Sequence, residues 1–284
     1  MENIYLPRRV KIIKTVELSP TVRFFRLAPV VSTLKEKISG TSFEKNKDGL
    51  VFVPGQFVSV GQIGYEESPF GPLSSPYQDK YMDIAVRKTG TVTGYLHSLK
   101  DGDEITLRGP FGNGFPLDFL EGKDIVMATG GCGIPPIASF IEYIVENRRS
   151  FGNVYVLYGA RNPEEILLKD LLVKWEKSGI QIVTTIDKPA PGWEGCVGFV
   201  PELINGIKIN EANTAAVMCG PGPMTDAMER VFKPLGIPDR RIFVSMERKM
   251  QCGVGKCQHC TTGKKYACVD GPVFNMDEVD KNWD

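Results

Sequence analysis

The apolar positions of this chain follow two different rhythms. From Val10 to about Leu117 they come in short runs, RVKIIKTVEL, TVRFFRLAPV, GQFVSVGQI, YMDIAVRKTG and DEITLRGPFG, each broken by Gly, Pro, Asp or Ser. β-Branched and aromatic enrichment at strand-length spacing, with no helical pattern of equal strength between the runs, predicts an antiparallel β-barrel. Ser32 to Gly49 is polar, charged and aperiodic, and reads as a solvated loop or hairpin inserted in that barrel.

After Glu121 the rhythm changes. Apolar runs at 124–129 (DIVMAT), 153–159 (NVYVLYG), 180–186 (IQIVTTI), 214–220 (TAAVMCG) and 241–246 (RIFVSM) alternate with helical patterns. Ile137, Phe140, Ile141, Ile144 and Val145 mark one helix face, and Met224, Ala227, Met228, Val231 and Phe232 mark another. PEEILLKDLLVKWEKSG predicts a third helix, ending at Gly179. Near-continuous apolar strands with helical crossovers indicate a parallel sheet covered on both faces, an α/β domain of dinucleotide-binding type. The expected division is a barrel over 1–120, an α/β domain over 121–246 and a small module over 247–284.

Composition narrows the classes. The 284 residues exceed what one compact core usually holds. With 42% hydrophobic and 24% charged residues, a disordered tail protein is excluded. No apolar run reaches the roughly 18 residues of a membrane span, so no transmembrane segment is expected. Thirty-four basic residues balance 34 acidic ones, leaving no overall field to recommend nucleic acid. The N-terminal MENIYLPRRVKIIKTVEL lacks the order of a secretory signal, which predicts a cytoplasmic protein whose seven cysteines are thiols or ligands.

Those cysteines are unevenly placed. Cys132, Cys196 and Cys219 are scattered, whereas Cys252, Cys257, Cys260 and Cys268 fall within 17 residues. Thiolates so close together repel unless a metal centre draws off their charge. C-x4-C-x2-C opens the cluster loop of plant-type 2Fe–2S ferredoxins, and the fourth cysteine follows after seven intervening residues. Zinc is the rival; structural zinc sites favour paired C-x2-C arms, and only Cys257 and Cys260 make one. Gly253, Gly255 and Gly263 would let the loop curl its N–H groups toward sulfides. His259 and His97 read as bystanders.

Two glycine-bearing turns follow strands of the α/β half. One carries Gly130, Gly131 and Gly133; the other runs Cys219-Gly220-Pro221-Gly222. Each opens a helix, whose N-terminal N–H groups and dipole favour an anionic ligand, and both sit at the carboxyl edge of the sheet, where open α/β sheets bind ligands. Either turn alone could be merely tight; together they indicate a dinucleotide. In the barrel half, Lys88 to Leu96 (KTGTVTGYL) is a candidate anion cradle whose signal alone is weak, and Arg108 to Phe115 (RGPFGNGF) reads by default as a plain loop at the domain junction, with ligand contact as the alternative.

In this order, the pieces resemble the ferredoxin–NADP reductase superfamily, in the branch with a C-terminal 2Fe–2S extension. That branch holds the electron-transfer subunit of dihydroorotate dehydrogenase, the gamma subunit of sulfhydrogenase and one subunit of anaerobic sulfite reductase. Its most specific text is Met250 to Cys260 (MQCGVGKCQHC), closing with Tyr266 to Phe274 (YACVDGPVF). The resemblance implies FAD held between barrel and dinucleotide domain. The superfamily's flavin motif is R-x-[YF]-[ST], and this chain reads Ser68-Pro69-Phe70-Gly71: Phe70 fills the aromatic slot, Ser68 replaces the arginine and Gly71 the hydroxyl residue. Arg87, Lys88, Gly90, Val92 and Thr93 match the second flavin segment, with Thr93 and backbone N–H groups at the pyrophosphate. The same likeness places Gly130, Gly131, Gly133, Gly220 and Pro221 along NAD(P)H, with Cys219 beside the reacting ring. Asp187, where NADPH users commonly place a basic residue, favours NADH; Lys188 and Arg161 argue the other way.

Two functions stay open at this stage. One is an electron-transfer flavoprotein subunit, linking NAD(P)H, FAD and a 2Fe–2S cluster to a catalytic partner subunit in a hetero-oligomer. The other is a nucleotide-binding regulatory module with a four-cysteine zinc site.

Overall fold

The computed structural model describes residues 4–30 and 50–279, so the insert expected at 32–49 lies outside the described residues. In the first half, strands β1 (Arg8–Glu17), β2 (Val22–Pro29), β3 (Phe57–Gly61), β4 (Glu67–Phe70), β5 (Met82–Arg87) and β6 (Glu104–Phe111) form one sheet in the order β4-β3-β6-β1-β2-β5. Every pairing in it is antiparallel. Alternate side chains enclose a core of Val10, Ile12, Phe25, Leu27, Val58, Val60, Ile84, Val86, Ile105 and Leu107. A helix, α1 (Thr91–Ser98), buries Val92 and Leu96 in that core, where the sequence offered only a weak helical hint. The unpredicted strand β4 reads ESPF, without apolar alternation and with a proline that only an edge strand tolerates.

A short helix, α2 (Leu117–Leu120), leads into the second half. There β7 (Asp124–Gly130), α3 (Ile134–Glu146), β8 (Val154–Ala160), α4 (Lys169–Lys177), β9 (Gln181–Ile186), β10 (Cys196–Val197), β11 (Thr214–Cys219), α5 (Gly222–Phe232) and β12 (Ile242–Ser245) follow in turn. All five predicted apolar runs are strands, and they pair in parallel. Helices α3 and α4 cover one face through Ile137, Phe140, Ile141 and Trp175. On the other face, α5 and a 3-10 segment at Val200–Gly206 pack Met228, Phe232 and Ile204.

Two departures from the sequence reading have physical causes. The helix expected from Pro163 begins only at Lys169. Asn162 accepts the N–H groups of Glu164 and Glu165 at 3.0 Å, closing a single 3-10 turn. Ile166, Leu167 and Leu168 are then all buried, and Leu168 takes a left-handed φ of 57° that breaks the helical path. Second, residues 247–279 are joined to the α/β sheet. After a two-stranded ribbon of β13 (Thr261–Thr262) and β14 (Lys265–Tyr266), strand β15 (Val273–Asn275) pairs antiparallel with β12, Ser245 facing Val273. It completes a seven-stranded sheet in the order β10-β9-β8-β7-β11-β12-β15 and buries Val273, Phe274 and Met276 in the α/β cores.

Candidate functional site

Barrel, parallel sheet and cysteine module all contribute walls to one cleft of about 450 Å³. Ser68, Pro69, Phe70 and Gly71 line it from β4 and the turn beyond, Arg87, Thr89 and Thr93 from the end of β5 and the start of α1, and Gln56 and Phe57 from the start of β3 and the residue before it. Cys132 comes from the first glycine turn, Pro135 and Pro136 from the start of α3, Ser245 to Arg248 from the end of β12 and the residues after it, and Met250 and Pro272 from the cysteine module. The departure of Gly71 from the motif has a local reason: a Cβ there would lie 2.9 Å from the Cα of Pro136, so no side chain fits without backbone movement. A larger hollow, about 690 Å³, opens between β1–β2 and α3–α4. Two ion pairs lie within it, Arg26–Asp83 at 2.8 Å and Lys174–Glu142 at 2.6 Å, and none of the predicted site residues line it.

The cleft holds an unspent donor. The Nε–H of Arg87 is buried with no partner, an arrangement that costs stability unless a ligand oxygen takes the bond. FAD carries such oxygens, and the groups around the cleft fit it. Lys88 and Gly90 are exposed beyond the strand end. The hydroxyl of Thr93 turns inward: it accepts the N–H groups of Thr89 at 2.9 Å and Gly90 at 2.8 Å, so it fixes the first turn of α1 instead of facing outward. Val92 is a core residue of the barrel, and what it offers a ligand is its backbone N–H in that first turn.

The sheet edge gives a mixed result. The turn from Gly131 to Gly133 leads into α3 and the Gly220–Pro221 turn into α5, side by side because β7 and β11 are neighbours. Asp187 lies exposed just past β9, its N–H bonded to the Ala160 carbonyl at 3.1 Å. Cys219 differs from expectation. Its side chain has no exposed surface, and burial drives its thiol well above the ordinary range. It packs beneath the cleft, and Cys132 occupies the wall instead. Arg87, expected from the second flavin segment, is a cation of this cleft, and sequence reading missed two groups that line it as well, Ser245 and Glu247. Glu247 keeps surface open to the cleft, yet the protein crowded around it outweighs that opening and raises its carboxyl, with Arg87 pulling the other way. Nothing in an isolated SMER tetrapeptide signals a site; only the end of β12 at the cleft does.

The four clustered cysteines stand as two couples, Cys252 with Cys257 and Cys260 with Cys268. Couples are what a two-iron centre requires, one per iron. The loop between them aims its backbone inward: Cys252 Sγ accepts from Val254, Lys256 and Cys257 at 3.3–3.4 Å, and Cys268 Sγ from Gly255 at 3.2 Å. Burial opposes ionisation of Cys252, but the N–H groups of Val254, Cys257 and Lys256 prevail and bring its thiol down to about 6. Cys268 is pushed up to about 12 by burial and by its bond to Cys260.

The RGPFGNGF stretch, expected to be a plain loop, clasps this module. Asn113 donates to the carbonyls of Asp270 at 2.9 Å and Val273 at 2.7 Å, and its own N–H to Gly271. No helix of the described residues is long and apolar enough to cross a membrane.

Comparison with known proteins agrees with this geometry. Residues 127–230 match the oxidoreductase NAD-binding domain, and residues 247–280 the iron–sulfur cluster binding domain of dihydroorotate dehydrogenase B. The second match displaces the zinc alternative. Sulfhydrogenase 1 subunit gamma of Pyrococcus furiosus is 34% identical over 98% of this chain and 94% of its own. A probable dihydroorotate dehydrogenase B (NAD(+)) electron transfer subunit of Thermococcus kodakarensis is 33% identical over 82% of this chain and 88% of its own. The solved NADH-dependent reduced ferredoxin–NADP oxidoreductase, studied for flavin-based electron bifurcation, superposes with a TM-score of 0.71 at 25% identity, covering 96% of this chain and 90% of that one. The chain therefore belongs to the ferredoxin–NADP reductase-like electron-transfer subunits that end in an iron–sulfur domain, the family of sulfhydrogenase gamma and the dihydroorotate dehydrogenase B electron-transfer subunit.

Proposed function

We propose that this chain carries electrons between NAD(P)H and a catalytic partner subunit of hydrogenase, sulfite-reductase or dihydroorotate-dehydrogenase type, using FAD and a 2Fe–2S cluster, in the cytoplasm. The observation that carries the reading is the single cleft walled by all three parts of the chain. Bound FAD supplies the exchange between a hydride and single electrons, and the cluster a one-electron carrier. Within this reading the barrel, 1–120, would hold FAD along Ser68, Pro69, Phe70 and Gly71, with Arg87, Lys88, Gly90, Val92 and Thr93 toward the pyrophosphate. The α/β part, 121–246, would hold NAD(P)H along Gly130, Gly131, Gly133, Gly220 and Pro221, and the module 247–284 would hold iron through Cys252, Cys257, Cys260 and Cys268.

The chain's own groups then have defined tasks. Phe57 and Phe70 exclude water from the barrel side of the cleft. Arg87 orients an anionic or carbonyl-bearing ligand, and the carboxyl of Glu247, made more basic by burial, is placed to accept a proton there. Cys219, wholly enclosed, supports the floor. Asp187 is a hydrogen-bond acceptor for a ribose hydroxyl and repels a 2′-phosphate, which favours NADH.

The purified native protein is expected to be brown-yellow, with flavin and iron–sulfur absorption, and to reduce a dye with a higher specificity constant for NADH than for NADPH. A colourless zinc protein would overturn the whole reading; a higher constant for NADPH overturns only the role of Asp187. Replacing Arg87 by leucine removes a charged donor whose bond is worth about 1.5–3 kcal/mol, so FAD should bind on the order of 10–100-fold more weakly. Titration of the flavin-free protein checks this, and unchanged affinity would move Arg87 out of the flavin site.

A further inference from the structure

We infer that the Glu67–Arg108 ion pair is a positioning device that ties the flavin-bearing strand to the cluster loop and sets the reduction potential of the cluster; this rests on the 2Fe–2S reading above. Arg108 on β6 grips Glu67, the first residue of β4, through Nη2 at 2.6 Å and Nε at 2.8 Å. Two further donors go to the cysteine loop, Nη1 to the carbonyl of Cys252 at 3.1 Å and Nη2 to that of Gln251 at 3.3 Å. One guanidinium thus holds both the strand that continues through Ser68, Pro69 and Phe70 into the cleft and the backbone of the first cluster ligand. The planar fork is what lets one side chain serve both; lysine could not.

Packing reinforces the link. The guanidinium lies 5.3 Å from the centre of the Phe111 ring, and Phe111 in turn touches Phe57 of the cleft wall, ring centres 5.6 Å apart. On its other side the ring meets Gly253, at φ +75°, where a Cβ would fall only 2.9 Å from it. Glycine therefore lets the loop lie flat on the barrel immediately after Cys252. The pair is also placed to act electrically. Its side chains are 9% and 21% exposed, so its charges are poorly screened, in contrast to the exposed Lys249 and Lys256.

Reduction adds negative charge at the cluster, so the two halves of the pair pull its potential in opposite directions. R108Q leaves an uncompensated carboxylate and should lower the midpoint; E67Q leaves an uncompensated cation and should raise it. The expected change in each is about tenfold in the one-electron equilibrium, ~59 mV, and the double variant should return close to wild type. EPR-monitored redox titration of the purified native protein and the three variants measures this. A purely structural pair would move both single variants the same way or neither, and either result overturns the inference. Should R108Q fail to retain iron, E67Q decides alone: an unchanged or lowered midpoint overturns the inference. A wild-type protein with no 2Fe–2S signal would overturn the functional reading itself, and the inference with it.

Discussion

Cys257→Ser should abolish the iron–sulfur absorption and EPR signal, leave FAD bound, and reduce transfer to the partner subunit to background while NAD(P)H-driven reduction of a flavin-linked dye continues. Cys257 belongs to the Cys252 couple, and a serine hydroxyl is a poor substitute for a soft thiolate. The module's contributions to the cleft, Met250 and Pro272, flank the ligand run on either side and do not depend on this side chain. Dye reduction needs only the dinucleotide and flavin sites. Full partner activity in the variant would take the cluster off the route, and loss of FAD would mean that the ligand loop itself supports the cleft. Visible spectroscopy, flavin content and the two assays together distinguish these results.

The largest loss of stability is expected one strand later. Phe274→Ala empties a site that is 1% exposed, opposite Val244 on β12 and packed with Ala267, Cys268 and Met276. Deleting a buried phenylalanine ring costs about 3–5 kcal/mol. Because β15 is a strand of the seven-stranded sheet, the loss should register throughout the α/β half. Denaturant unfolding followed through the near-ultraviolet signal of Trp175, buried under the opposite face, is the test. A loss below about 1 kcal/mol, the range of an ordinary substitution, would mean that the strand merely rests against the sheet.

What could be read from the sequence was what is encoded locally. Parallel strands buried on both faces appear as unbroken apolar runs, and all five were legible for that reason. The iron–sulfur domain was legible because the spacing of its cysteines is itself the motif. Strands β4 and β15 were not: four and three residues carry no period, and both owe their state to the neighbour they pair with. Side-chain direction was equally hidden. Cys132 and Cys219 each accompany a glycine turn, and only the packing reveals that one faces the cleft and the other the core. Glu247 became visible only when β12 was seen to end at the cleft. Arg108 and Glu67 lie 41 positions apart, and their meeting depends on the register of β3 against both β4 and β6.

The pairing of Ser245 with Val273 makes the whole iron-binding stretch, 246–272, an elaborated turn between two adjacent strands rather than a tail. Its ends are held at one rung of the ladder, so the entropy of closing it grows only slowly with its length. Such a connection accepts enlargement or exchange without disturbing the sheet that anchors it. The returning strand also covers the outer edge of β12, whose exposed N–H and C=O groups would otherwise be open to pairing with another chain. A redox centre could thus be grafted onto a finished reductase at a point where the addition also protects its host from aggregation.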